Sequence, residues 1–273
     1  MSYTIKNETI SNDIVFEIAV RQNPKLAKHL IALSTDKNDS TLESGVISNQ
    51  KDNKPTLYSK GTRFDIFLAT DRELYDLEMQ KYEAMANDIV LRARYYASSS
   101  DVTDLQPGKN YRNLKSLTLI FLCTFDPFKK GYAKYIVKER VFVDNKNTKD
   151  ITESIGYDCN VTKIFFNASK CVSVMNVKRA MANVLHLLAT NQSTDKFTKE
   201  LKEAAEEIVQ TRGEEIMTLE QKFEDIKYFS ELENSKKIAI SLLKNGCTPE
   251  FVAENTGLPL EEVKKIQSEN ECN

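Results

Sequence analysis

Three polar side chains within two short apolar runs are the residues of this sequence best suited to catalysis. Asp65 lies in the run TRFDIFLA, whereas Glu78 and Gln80 lie in the run LYDLEMQ. Because successive side chains of a strand alternate between its two faces, Glu78 and Gln80 share one face. If the two runs pair, the carboxylates of Asp65 and Glu78 converge on one side of a sheet. Two carboxylates in that position repel each other unless a proton or a cation lies between them.

A carboxylate pair of this kind is typical of Mg²⁺ and Mn²⁺ sites, because both ions prefer hard oxygen ligands. The chain has only two His, and its five Cys form no CxxC pair, which disfavours a zinc site or a disulfide framework. Any metal chemistry is therefore expected to depend on carboxylates. The pattern leaves one alternative open, in which Asp65 or Glu78 simply faces solvent on an ordinary hairpin.

A β-hairpin is expected to position these side chains. Residues 62–69 and 74–80 have strand character and flank a polar four-residue turn. A helix is expected at 81–98, and the continuous apolar run 117–124 is typical of a central strand covered on both faces. Further elements are expected as follows: a helix capped by Asp13, strands at 45–48, 135–143 and 161–167, helices at 24–34 and 176–189, and one long or two shorter helices at 199–245.

The composition excludes several classes of protein. A hydrophobic content of 41% and a net charge of −2 argue against disorder. No apolar run approaches the ~20 residues that span a membrane. The first residues lack the basic start and apolar core of a secretory signal. We therefore expect a cytoplasmic protein with reduced thiols and no membrane contact.

Charge is distributed unevenly along the chain. Residues 199–273 contain 17 acidic and 10 basic side chains, whereas residues 1–198 contain 23 acidic and 28 basic ones. The near-neutral total therefore combines a mildly basic body with an acidic tail. A mildly basic body is compatible with DNA as a partner.

The order and spacing of several motifs resemble the PD-(D/E)XK nuclease superfamily, and specifically its recombination-promoting nuclease and transposase branch. The resemblance runs through these segments in order: 13–16 (DIVF), 60–65 (KGTRFD), 77–80 (LEMQ), 92–96 (RARYY), 108–111 (GKNY) and 120–128 (IFLCTFDPF). The FDPF element and the G-x-x-Y loop make the resemblance more specific than a bare D…ExQ pattern.

The resemblance implies a mixed α/β fold with a restriction-endonuclease-like core, in which helices flank a central mixed β-sheet and a helical region follows at the C terminus. It implies that Asp65 and Glu78 bind Mg²⁺ or Mn²⁺ together with the backbone carbonyl of Met79. Gln80 occupies the position where the superfamily most often has Lys, although ExQ is common in this branch. Because Gln offers only neutral hydrogen bonds, it is expected to position water or phosphate while the metal stabilises charge.

Basic and aromatic side chains beyond the hairpin are candidates for DNA contact. They are Arg92, Arg94, Tyr96, Lys129, Lys130 and Lys134. Lys and Arg side chains neutralise phosphates, but the same residues can equally form surface ion pairs or a solvated edge. The sequence leaves both interpretations open. Glu17 is a further acidic candidate for the site, since many superfamily members have an acidic residue near the start of the first helix.

The expected domain organisation is a nuclease-like domain at residues 1–190 and a helical region at 191–273. Residues 236–267 resemble short helix-turn-helix units. The last helix carries several acidic side chains, which is a poor composition for a helix that reads DNA. A packing or self-association role for this tail, giving a homo-oligomer, is therefore equally open.

Two functional hypotheses follow. The first is a Mg²⁺-dependent DNA endonuclease of the recombination-promoting type, which hydrolyses phosphodiester bonds. The second is a catalytically weak or inactive protein that keeps the nuclease fold and binds DNA or a protein partner. Both carboxylates are present, and this favours the enzyme, because an inactive protein has no need of them.

Overall fold

The computed structural model describes most of the chain. The backbone is described at residues 9–48, 52–53, 62–63, 65–81, 88–105, 107–143, 149–170 and 172–271. Side chains are described over the same residues except 48, 52–53, 62–63, 217–233 and 268–271. Part of the KGTRFD segment and residues 82–87 of the predicted helix at 81–98 lie outside the described residues.

The strands of the described chain have the following bounds: β1 Val46–Ser48, β2 Asp52–Asn53, β3 Thr62–Arg63, β4 Ile66–Ala69, β5 Glu73–Gln80, β6 Ser116–Cys123, β7 Lys134–Val137, β8 Phe142–Val143, β9 Lys149–Asp150 and β10 Val161–Asn167. Six of them form one mixed sheet in the order β1-β4-β5-β6-β10-β7. The strands β2 and β3 form a separate pair, as do β8 and β9. The protein is therefore of the mixed α/β class, as predicted.

The predicted hairpin is formed by β4 and β5, which are antiparallel, with Ile66 opposite Leu77 and Phe67 opposite Asp76. Strand β6 is parallel to both β5 and β10, so the connections between these strands must cross back along the sheet. Strand β6 lies between its two parallel neighbours and is buried from Leu119 to Cys123. This confirms the prediction that the apolar run 117–124 is a central strand.

The helices of the described chain have the following bounds: α1 Asp13–Gln22, α2 Pro24–Thr35, α3 Ile89–Asp104, α4 Arg179–Thr190, α5 Lys196–Lys244, α6 Pro249–Thr256 and α7 Leu260–Glu271. Helix α1 contacts β4 and β5, helix α3 contacts β6, and α2 contacts α4. The cap of α1 is Asn12 rather than Asp13, because the side chain of Asn12 accepts a hydrogen bond from the backbone N–H of Val15 (3.0 Å).

Helix α3 covers one face of the sheet. Its residues Ile89, Ala93 and Tyr96 pack in one apolar cluster with side chains of β6 and β10, among them Phe121 and Phe165. Phe121 and Phe165 stack with their ring centroids 5.1 Å apart. By strand alternation, the side chains at even positions of β5 point toward α3, and those at odd positions point to the opposite face.

Several element boundaries differ from the prediction. The first strand of the hairpin begins at Ile66, because the side chain of Asp65 accepts a hydrogen bond from the neighbouring strand. The helix expected at 81–98 has its described start at Ile89 and continues to Asp104. In its last turns hydroxyl groups bond back to the helix backbone, as that of Thr103 does when it donates to the Ser99 carbonyl (2.9 Å). The segment 135–143 is not one strand, since it divides between β7 and β8.

The chain consists of two compact units, Met1–Arg212 and Gly213–Asn273. In the second unit the end of α5 and helices α6 and α7 enclose their own apolar cluster, which contains these residues: Ala239, Val252, Leu258, Val263 and Ile266. Helix α6 is capped by Thr248, and Gly257 follows its last residue as the C-cap in the left-handed conformation. The predicted domain boundary at residue 190 stays a prediction. None of the described helices is long and apolar enough to cross a membrane.

Candidate active site

The structure brings Asp65 and Glu78 together at the end of the hairpin. The backbone N–H of Asp65 donates a hydrogen bond to Glu78 Oε1 (3.1 Å). The backbone N–H of Met79 donates a second one to Asp65 Oδ2 (3.2 Å). Each carboxylate is thus held by a backbone group of the opposite segment. Glu78 is only 1% exposed, whereas Asp65 is half-buried and accessible.

A third carboxylate, Asp76, lies on the same face of β5, two residues before Glu78. It is fully buried, and its register neighbours are Phe67 on β4 and Leu119 on β6. No donor among the described residues bonds its oxygens, and the carboxyl of Glu78 can share a hydrogen bond with it only when one of the two carries a proton. The sequence prediction missed Asp76, although the alternation in YDLEMQ was a signal that could have found it. A buried carboxylate without a partner is costly, so a proton or a cation is needed there.

Burial raises the pKa of all three carboxyl groups well above the ordinary range. The charge of a neighbouring carboxylate is the next cause in each case: Glu78 for Asp65, Asp65 for Asp76, and Asp76 for Glu78. The two backbone hydrogen bonds lower the pKa of Asp65 and Glu78 but do not overcome these effects. The cluster therefore holds protons more tightly than exposed carboxyl groups do. A divalent cation that binds there must displace them.

Helix α3 places Arg92 against the carboxylates. Its Nη1 donates to Gln80 Oε1 (2.7 Å), and its Nη2 donates to the hydroxyl of Tyr96 (3.1 Å) and lies 3.8 Å from Glu78 Oε2. The guanidinium carbon lies 5.5 Å from the centroid of the Tyr96 ring, within range of a cation–π interaction. The amide nitrogen of Gln80 lies 3.4 Å from Glu78 Oε2. Two residues predicted as DNA contacts, Arg92 and Tyr96, thus belong to the carboxylate site.

Helix α1 adds negative charge to the same region. Glu17 is 8% exposed, and its Oε1 forms an ion pair with Arg21 Nη1 (2.8 Å). The charges of Glu17 and Asp13 each contribute to raising the pKa of Asp65. The acidic residue that the resemblance indicates near the start of the first helix therefore acts electrostatically on the site.

The remaining basic candidates lie elsewhere. The side chains of Arg94, Lys129 and Lys130 are exposed, and no described contact joins them to the carboxylates. Lys134 lies opposite Phe166 in register, and the register places both on the face of the sheet opposite to Glu78. There Lys134 Nζ forms an ion pair with Asp36 Oδ2 (2.8 Å).

The donor set of the site can be tested against the implied metal. Among the residues described, no three Asp, Glu, His or Cys side chains form a group ready to hold a metal ion. Asp65, Glu78 and the carbonyl of Met79 nevertheless offer the oxygen ligands that Mg²⁺ and Mn²⁺ prefer. Asp76 adds a third buried carboxyl to the cluster, and no described donor bonds its oxygens. A divalent cation fits both the ligand chemistry and the charge of this cluster.

The chain matches no protein-family model, no curated protein and no solved structure. Its functional interpretation therefore depends on the side-chain arrangement and on the motif resemblance. Chemically, the arrangement combines two converging carboxylates with an amide and a guanidinium on one sheet face. Such a combination suits the binding of a cation together with a phosphate group.

Proposed function

We propose that this protein is a metal-dependent DNA endonuclease that hydrolyses phosphodiester bonds. The observation that carries the proposal is the convergence of Asp65 and Glu78, each held by a backbone N–H of the opposite segment. Gln80 and Arg92 lie directly beside this pair. The motif resemblance to recombination-promoting nucleases supports the same function.

The order of elements supports a restriction-endonuclease-like core. Helix α1 comes first, and the antiparallel strands β1, β4 and β5 follow it. Helix α3 then leads to β6, which is parallel to β5. In such a core the two carboxylates come from neighbouring strands of the hairpin, as Asp65 and Glu78 do here.

In the proposed reaction, Asp65 and Glu78 with the Met79 carbonyl hold the cation. When bound, Mg²⁺ or Mn²⁺ supplies a nucleophilic water at neutral pH and neutralises charge on the phosphate oxygens. Gln80 positions water or a phosphate oxygen through neutral hydrogen bonds. Asp65 is half-buried and is the most accessible of the three carboxylates, so the substrate approaches the cluster from the side of Asp65.

DNA is the proposed substrate because the body of the chain is mildly basic. Residues 1–198 carry five more basic than acidic side chains, and exposed cations such as Lys129, Lys130 and Arg94 are available for phosphate contacts. The proposal assigns the activity to the cytoplasm, where DNA and reduced thiols coexist in a bacterial-type cell.

Cleavage of supercoiled plasmid by the purified full-length chain tests the proposal. We expect nicked and linear products with Mg²⁺ or Mn²⁺, and none with EDTA. Asp65→Asn and Glu78→Gln should each lower the rate by at least about 100-fold, because each replaces a charged ligand of the ion that stabilises the transition state with a neutral one. Asp71→Asn, in the exposed turn between β4 and β5, is the matched control and should cleave normally.

Two results would refute the proposed function. One is a wild-type protein that does not cut plasmid with either ion. The other is cutting by Asp65→Asn and Glu78→Gln at the rate of Asp71→Asn, which would indicate a contaminating nuclease. Retarded migration of DNA without cutting would instead favour a non-catalytic binding protein with the same fold.

A further inference from the structure

A positive charge is missing from the strand that carries the proposed catalytic residues. Strand β5, ELYDLEMQ, contains no Lys or Arg, and Gln80 beside the carboxylates is neutral. We propose that Arg92 is a positioning residue that orients Gln80 and supplies to the site the charge that β5 lacks. This inference rests on the proposed function and names a residue from a different element, helix α3.

The geometry fixes the guanidinium on both sides. Arg92 lies in the first turn of α3, and Nη1 donates to Gln80 Oε1 at 2.7 Å. Nη2 donates to the Tyr96 hydroxyl at 3.1 Å, one helical turn further along the same face. The Tyr96 ring also contacts the guanidinium. A planar guanidinium with contacts on both sides has little conformational freedom, so it can fix the orientation of a side chain that it bonds.

The contact determines which way the amide of Gln80 points. A guanidinium only donates hydrogen bonds, so Gln80 must present its oxygen to Arg92. The amide nitrogen then faces Glu78 Oε2, 3.4 Å away. Gln80 is thereby set as a donor directed at the carboxylate end of the site, where a phosphate oxygen or a water would bind. Without Arg92 only the longer contact with Glu78 Oε2 would orient the amide.

The charge reaches the site as well. Arg92 Nη2 lies 3.8 Å from Glu78 Oε2, and 30% of the Arg92 side chain is exposed. The guanidinium is engaged by Gln80 and Tyr96, so its positive charge acts on a phosphate group at the carboxylates through space. A cation in that position stabilises charge that develops on the phosphate oxygens during hydrolysis. This is the contribution that a neutral Gln80 alone does not make.

The test compares four variants of the full-length protein in the plasmid assay. Arg92→Met removes both the positive charge and the planar guanidinium that donates on two sides. It should lower kcat at least about 100-fold, with KM for DNA changed less than about threefold. Arg92→Lys keeps the positive charge but not the planar guanidinium, so its kcat should lie between those of wild type and Arg92→Met. Arg72→Met, an exposed arginine in the β4–β5 turn, should behave as wild type.

The decisive variant is the double substitution Gln80→Lys with Arg92→Met. It returns a positive charge to the strand, so it should recover at least about tenfold of the kcat that Arg92→Met loses. A merely structural role of Arg92 gives no such recovery. The side-chain amide signals of Gln80 in the nuclear magnetic resonance spectrum of the cation-free protein give a second measurement. They should move in Arg92→Met and stay in place in Arg72→Met.

The outcomes separate this inference from the proposed function. A wild-type protein that does not cleave refutes the function and this inference with it. An active wild type whose Arg92→Met variant is equally active refutes the inference alone. Failure of Gln80→Lys to restore activity to a folded Arg92→Met protein refutes it too, as does an unmoved Gln80 amide signal. If Arg92→Met does not fold, Arg92→Lys decides, and wild-type kcat in that variant refutes the role of the planar guanidinium.

Discussion

Replacing Asp76 with Asn tests whether the carboxylate cluster is costly to the fold. Asp76 is fully buried, and when it is ionised no described donor bonds its oxygens; the carboxyl of Glu78 shares a hydrogen bond with it only while one of the two is protonated. Asn has nearly the same shape and cannot ionise, so Asp76→Asn removes the charge without opening a cavity. We expect the cation-free variant to be more stable than wild type at neutral and alkaline pH.

The sign follows from the pKa of Asp76, which burial and the charge of Asp65 raise well above its ordinary value. The folded state therefore binds the proton more tightly than the unfolded state, whose carboxyl titrates near pH 4. Stability from this group is fully present below that pH, and it is lost as pH rises through the folded pKa. The expected gain for Asp76→Asn at pH 8 is about 1–3 kcal/mol, the cost that mutational data assign to burying a polar group without a partner.

Urea unfolding followed by circular dichroism, without divalent cations, measures the effect at pH 4 and pH 8. Hydrogen exchange in peptides of β5 and β6 assigns the transition to the unit that contains the sheet. The free energy of unfolding should differ between Asp76→Asn and wild type at pH 8 and agree at pH 4. Asp71→Asn, in an exposed turn, should show neither effect. A destabilised Asp76→Asn at pH 8, or a gain that is the same at both pH values, would refute the reasoning.

Two further predictions concern the cation and the core. Mg²⁺ at 100 times its Kd should raise the free energy of unfolding of wild type by about 2.7 kcal/mol. Thermal unfolding measured during a Mg²⁺ titration of Glu78→Gln should show no comparable stabilisation. An equal stabilisation of Glu78→Gln would mean that the ion binds elsewhere. Phe121→Ala should cost about 3–5 kcal/mol in urea unfolding, because Phe121 is fully buried and stacks on Phe165. Tyr111→Ala is its control, since Tyr111 is 81% exposed, and a loss below about 1 kcal/mol for Phe121→Ala would contradict this packing.

The fold could be predicted best where burial requires a clear pattern of apolar residues in the sequence. Strand β6 is covered on both faces, so its run LTLIFLCT is apolar at almost every position, and the sequence located it within a residue. Helix α3 was located less well, because its buried face includes Ser99 and Ser100 as well as apolar residues. A helix whose buried face is partly polar has a weak 3.6-residue pattern. Its end was accordingly misplaced, since the helix continues to Asp104.

The contacts of the site that follow from local sequence could be predicted, whereas those that depend on tertiary packing could not. Strand alternation was sufficient to bring Asp65 and Glu78 together, and applied one step further it would have included Asp76. The contact from Arg92 to Gln80 joins residues of different elements. It depends on how α3 packs across the sheet, which no spacing along the chain encodes. Lys134 shows the converse, since it belongs to the same basic stretch as Lys129 but lies on the far face of the sheet from Glu78.

The two faces of β5 differ in polarity, and this difference supports the proposed site. On the face away from α3, Leu77 and Met79 are apolar and buried. On the face toward α3, Asp76 and Glu78 are equally buried but carry ionisable carboxyl groups. Apolar residues that replace buried ionic groups are often neutral or stabilising by about 1–4 kcal/mol, so folding alone would favour an apolar strand. A sequence that breaks the burial rule on one face only, beside an arginine from another element, has the character of a binding or catalytic site.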